Sequence, residues 1–166
     1  MAGNTAQAST HTATVTLQGD REIVITREFA APKHLVWKAY TTPELIKRWW
    51  AGERGEVTLA EVDLRVGGKW RYVLVANGDF EAGFHGEYRE IETGEKLVMT
   101  EVFEGMPDGE ALDTVTFTEV DSRTTLTMLV QHTVPEHRDA HIGSGMEGGM
   151  QEAMDRLEQI AISLAA

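Results

Sequence analysis

The stretch that most constrains this chain is its C-terminal end, from Pro135 onward. Apolar side chains recur there at Ile142, Met146, Met150, Met154 with Ala153, Leu157, Ile160 with Ala161, and Leu164. That is the i, i+3, i+4, i+7 spacing of one helix face. Glu147, Glu152, Asp155, Arg156, Glu158 and Gln159 fill the other side, and Pro135 suits a first helical position. A helix of about thirty residues would run roughly 45 Å, so the rest of the chain must be arranged around it. Its first half is unusual. Gly143, Gly145, Gly148 and Gly149 each cost about 1 kcal/mol of helix propensity relative to Ala. They let another group approach the backbone closely, and they permit a kink or a late helix start. Met146, Met150 and Met154 beside them are adaptable fillers of irregular apolar space. The expectation is a helix whose second half is anchored and whose first half roofs a cavity; the alternative is a locally weak helix over a filled core.

Upstream, Arg21 to Phe29 reads as a strand, with Ile23, Ile25, Arg27 and Phe29 on one face. Arg27 puts a charge on the apolar side and needs a partner there unless an edge leaves it wet. Pro32 opens a short helix, and Thr42-Pro43-Glu44 restarts a second one that ends at Trp49-Trp50. Strands dominate from Glu56 to His132. Trp70, Tyr72 and Leu74 share a face, as do Phe84, Gly86 and Tyr88. The same parity holds for Leu97, Met99, Glu101 and Phe103, for Val115 and Phe117, and for Leu126, Met128, Val130 and His132. Asn77-Gly78 is a strong two-residue hairpin signal. Short turns imply sequential antiparallel pairing. Helices clustered rather than alternating with strands give an α+β domain: a curved antiparallel sheet of about seven strands wrapped on the long C-terminal helix, with two short helices after the first strand. Residues 1–20 read as a flexible lead-in and 21–166 as one domain.

Particular stretches resemble a known family. Arg27-Glu-Phe-Ala-Ala-Pro32, Leu35-Val-Trp37-Lys-Ala-Tyr40 and Pro43-Glu-Leu with Arg48-Trp-Trp50 resemble the start of the helix-grip SRPBCC superfamily, which is START-like and birch-pollen-allergen-like. Gly67-Gly-Lys-Trp-Arg-Tyr72, Gly86-Glu-Tyr-Arg-Glu-Ile91, Leu97-Val-Met-Thr-Glu101 and the final helix with Gly145-Met146 continue the match. The nearest branch looks like the homologues of the heat-shock-protein ATPase activator. The resemblance implies an apolar cavity between sheet and helix that binds lipids, polyketides or aromatic molecules. Some members cyclise or hydrolyse their ligands, and better-known co-chaperone members act through an additional domain. No shared catalytic motif can be placed on this chain.

The candidate ligand-binding residues are Trp70, Tyr72, Phe84, Met99, Phe103, Phe117, Met128, Met146 and Met150, with Trp49 or Trp50 at the mouth. Apolar walls with a few convergent polar groups characterise small-molecule sites. Glu101 and His132 are the polar candidates, with Arg27 as an expected partner of Glu101 and His85 inward only if a bulge reverses its face. Glu101 as a general acid/base would make the domain a cyclase, dehydratase or hydrolase. The remaining alternative is an interaction module with a chaperone-type partner.

Other chemistry is not supported. The chain has no cysteine and a net charge of −12, which argues against thiol chemistry, nucleic acid and anionic membrane surfaces. No run approaches the roughly 18 apolar residues of a membrane span, and the N-terminus lacks the basic start and apolar core of a signal peptide. A cytoplasmic location follows as the expectation. His137 and His141 are four apart but do not form H-E-x-x-H and have no evident third ligand, so they read as a solvated pair and no metal is expected. Gly143 to Gly148 fits G-x-G-x-x-G without the strand that must precede it, so no cofactor is expected.

Overall fold

The structure, a computed structural model, describes residues 12–76 and 80–165. Eight strands form one antiparallel sheet: β1 (Thr14–Gln18), β2 (Glu22–Phe29), β3 (Gly55–Val62), β4 (Lys69–Ala76), β5 (Phe80–Glu92), β6 (Lys96–Phe103), β7 (Ala111–Val120) and β8 (Arg123–Gln131). Their order is β1-β2-β8-β7-β6-β5-β4-β3. Two short helices, α1 (Lys33–Thr41) and α2 (Pro43–Trp49), interrupt the strands after β2, and α3 (Pro135–Gly143) and α4 (Met146–Ser163) end the chain. This is the helix-grip arrangement. It has one strand more than expected, because β1 lies within the stretch read as a lead-in and pairs with β2 from Thr14↔Thr26 to Gln18↔Glu22. Its run Thr14-Val15-Thr16-Leu17-Gln18 does alternate, but it is short and mostly exposed, and it lies next to a Thr/Ala-rich stretch. The Asn77-Gly78 hairpin signal lies outside the described residues.

The C-terminal helix is broken. Gly145 caps α4 at φ 80°, a left-handed conformation that favours glycine. What the periodicity read as one helix is therefore a short α3 with no buried residue, then an α4 whose apolar face is held by Ala153, Met154, Leu157, Ile160 and Ala161. These pack with Val36, Ala39 and Tyr40 of α1, Ile46 and Trp49 of α2, and Phe29, Val115, Phe117 and Leu126 of the sheet. Pro43 starts α2 at its first turn, but the Thr42 hydroxyl donates to the Lys38 carbonyl rather than capping α2. No helix among the described residues is long and apolar enough to cross a membrane.

Arg27 is 1% exposed and does not meet Glu101. Its Nη2 donates to Asp155 Oδ1 at 2.7 Å and Glu158 Oε1 at 3.3 Å, and its Nη1 to the Glu28 carbonyl. Glu158 Oε2 also accepts from the Ala30 amide at 2.8 Å. The expected partner on the sheet is replaced by two acids of α4, clamping that helix to β2.

Candidate functional site

Glycine opens the sheet beside the cavity. The β5–β6 ladder runs through Phe84↔Phe103 and His85↔Val102, then resumes at Tyr88↔Met99. In the gap, Trp70 Nε1 donates to the Thr100 carbonyl at 3.1 Å, and the Glu87 amide donates to Thr100 Oγ1 at 2.9 Å. A side chain at Gly86 would lie 1.7 Å from that carbonyl oxygen and 2.5 Å from the indole nitrogen. Trp70 therefore crosses over Gly86, and the two bonds replace those the ladder lacks.

Between the sheet and α3–α4 lie two adjoining cavities, of about 160 Å³ and about 380 Å³. The smaller is walled by Trp49, Trp50, Trp70, Tyr72, Phe84, Met99, Met128, Met146 and Met150 among others. The larger is reached by Phe103 and His132 and carries Phe80 and Met106, both largely exposed. Phe84, Glu101 and Met146 belong to both. The Trp50 ring meets Phe84 edge-on at 4.8 Å and Tyr72 at 5.2 Å, so the wall is a set of crossed ring faces.

Phe117 lines neither cavity. It is core, 5.4 Å from Trp37 and 5.6 Å from Tyr40 between ring centroids. Its inward parity was right, but it sits at the end of the sheet that α1 covers. His85 keeps the outward face that its parity gives. It bonds Glu104 at 2.8 Å, where Arg71 grips the same carboxylate with two 2.8 Å bonds. The Arg71 and His85 bonds hold the Glu104 carboxyl down at about 2.

The polar side of the cavities holds more than Glu101 and His132. Asp113 stands opposite Met99 on β7, 1% exposed, and lines the smaller cavity beside Glu101. Burial, and then the Glu101 carboxylate to which it is hydrogen-bonded, push its carboxyl well above the usual range. Burial beside a second carboxyl thus favours the protonated form of Asp113. This residue has the parity of Val115 and Phe117, one step beyond the inward pair read on this strand from the sequence.

His141 is not the solvated residue its spacing suggested. It lines both cavities, and its Nδ1 lies 3.1 Å from His132 Nε2. Burial and the neighbouring His141 hold the His132 imidazole down at about 4, and burial lowers His141 too. Both rings are neutral at pH 7, and one donates to the other. His137 lines the larger cavity as well. Among the described residues no group of His, Asp and Glu is placed to hold a metal ion.

Arg54, from the loop after α2, also lines both cavities. It reaches them over Gly149, where an added Cβ would lie 2.6 Å from Arg54 Nε. The glycine-rich stretch thus admits a neighbour at Gly149, while Gly143 and Gly148 face open space.

The fold that carries this site is shared with solved structures. The solved structure of a protein from Rhodobacter sphaeroides superposes with a TM-score of 0.85 at 27% identity, covering 93% of this chain and 99% of that one. A protein from Nitrosomonas europaea gives a TM-score of 0.81 at 24% identity over 90% and 99% of the two chains. One from Arthrobacter aurescens gives 0.81 at 24% over 89% and 90%. No curated protein matches the sequence. Residues 30–161 match the family described as activator of Hsp90 ATPase homolog 1-like protein. That match takes in both short helices, the sheet from β3 to β8 and most of α4, and the chain belongs to the activator of Hsp90 ATPase homolog 1-like family within the SRPBCC-type fold.

Proposed function

We propose that this protein binds an apolar or amphipathic small molecule between its sheet and its C-terminal helices. The observation that carries this reading is the pair of adjoining cavities. The larger alone, at about 380 Å³, falls within the roughly 300–1,000 Å³ of small-molecule sites. Its neighbour adds a wall of crossed aromatic rings and methionines, and the polar groups converge where the two meet. An interaction module of chaperone type would instead expose an apolar patch. Here the exposed Phe80 and Met106 sit on the rim of the larger cavity, which ties them to the same site.

A proton–nitrogen NMR titration against fatty acids, flavonoids and small polyketides tests this. The indole peaks of Trp50 and Trp70 shift saturably with a ligand, while Trp37, packed on Phe117 away from both cavities, serves as the internal control. If no compound moves Trp50 or Trp70, or if Trp37 alone responds, the reading fails.

A further inference from the structure

The polar wall narrows the ligand class, resting on the binding role just proposed. Asp113 is buried, yet its Oδ1 has no hydrogen-bond partner in the structure. A buried acceptor left unpaired is costly, and this one belongs to a residue on the cavity wall. Glu101, its bonded neighbour, is common to both cavities, so the pair stands where they join. The nearest cation on the same walls is Arg54, whose charge is itself met by Glu152. His132 and His141 bond each other and add no charge at pH 7.

We propose that the Glu101–Asp113 carboxyl pair receives a hydroxyl group, so that the ligand is a neutral ring compound carrying a phenol or alcohol. The hydroxyl donates to Asp113 Oδ1, and the ring lies against Trp50, Tyr72 and Phe84. A ligand carboxylate at this point would add a third carboxyl beside two that already share a hydrogen bond, an arrangement that disfavours a further negative charge. A ligand lacking a donor would leave Oδ1 unpaired. The ring requirement follows from walls that present aromatic faces and edges rather than a long narrow channel.

Three probes of one shape test this on the full chain: 2-naphthol, 2-methoxynaphthalene, which keeps the oxygen but has no donor, and 2-naphthoate. Binding is followed by the Trp50 and Trp70 indole peaks. The expected order is 2-naphthol at least about tenfold tighter than 2-methoxynaphthalene, with 2-naphthoate weakest. In Asp113→Leu, which has the same number of side-chain heavy atoms, the ratio of the first two falls to near one. Equal binding of 2-naphthol and 2-methoxynaphthalene to the wild type, or tighter 2-naphthoate, overturns this inference and leaves the binding role standing. If none of the three binds and the wider panel also fails, both fall together. The wild-type ratio is decisive even if Asp113→Leu does not fold.

Discussion

The clamp between β2 and α4 gives the sharpest energetic expectation. The Arg27 and Glu158 side chains are 0% and 1% exposed, and Glu158 also takes the Ala30 amide. Arg27→Met removes the guanidinium from the buried Glu158 side chain, while the Ala30 amide bond to it remains. Removing one partner of a buried pair costs about 3–5 kcal/mol, mostly the penalty of the charge left behind. For a domain of this size each kcal/mol lowers Tm by roughly 2–4 °C, so the expected loss is on the order of 10 °C. Glu158→Gln in the same background removes the stranded charge and keeps an acceptor for the Ala30 amide. The double variant is therefore more stable than Arg27→Met alone, by about 2 kcal/mol. Urea unfolding of the wild type, both single variants and the double variant measures this coupling. As a reference, Arg65→Met breaks the exposed pair with Asp63, whose side chains are 73% and 50% exposed, and costs under about 1 kcal/mol. If Arg27→Met costs no more than Arg65→Met, or if Glu158→Gln gives no recovery, the account of the clamp is wrong.

Three further outcomes follow. Gly86→Ala drives a Cβ into the Thr100 carbonyl and should destabilise by about 3 kcal/mol or more, with the Trp70 indole peak displaced. Gly148→Ala meets open space inside α4 and should stabilise by up to about 1 kcal/mol; a loss there would contradict the described packing. The third concerns pH. Asp113 keeps its proton when folded and sheds it when unfolded, near pH 4, so it lowers stability as pH rises through its folded pKa. His132, held down at about 4, acts oppositely: its contribution is whole above about pH 6.5 and is lost as pH falls toward 4. In thermal melts, Asp113→Leu should flatten the decline that sets in as pH rises above about 4, and His132→Gln the decline below about pH 6.5. Unchanged slopes would refute both assignments.

Much of this architecture was legible because strand parity is a strict period of two. Met99, Glu101 and Phe103 face inward, and the inference needed no knowledge of their neighbours. What parity lacks is position along the strand. Phe117 shares the inward face but lies beneath α1, where Trp37 and Tyr40 fill the space. Asp113 was missed for want of a boundary, since β7 begins at Ala111, ahead of the named pair Val115 and Phe117. The partner of Arg27 was not readable at all. Asp155 and Glu158 lie off the apolar stripe of α4, and only the way β2 crosses that helix brings them to a buried guanidinium. The helix break was foreshadowed by its glycines, but which of them would turn left-handed depends on where α4 must start to seat Met146 and Met154 in the core. His141 was missed because its spacing within α3 does not show that the helix folds back over the end of β8, where His132 lies nine residues earlier.

The interruption at Gly145 separates two costs that a continuous helix would join. None of the nine residues of α3 is fully buried, yet His137, Ala140 and His141 line the larger cavity. Lifting α3 withdraws Ile142 from a small apolar cluster, whereas lifting α4 would remove Ala153, Met154, Leu157, Ile160 and Ala161 from the main core. Local opening of such a segment lies at the low end of the free-energy scale within a fold. Amide protons of residues 136–143 should therefore exchange well before those of 153–161. For any molecule held in the larger cavity, the dwell time would then be governed by this one short segment and could be tuned there without altering the stability of the domain.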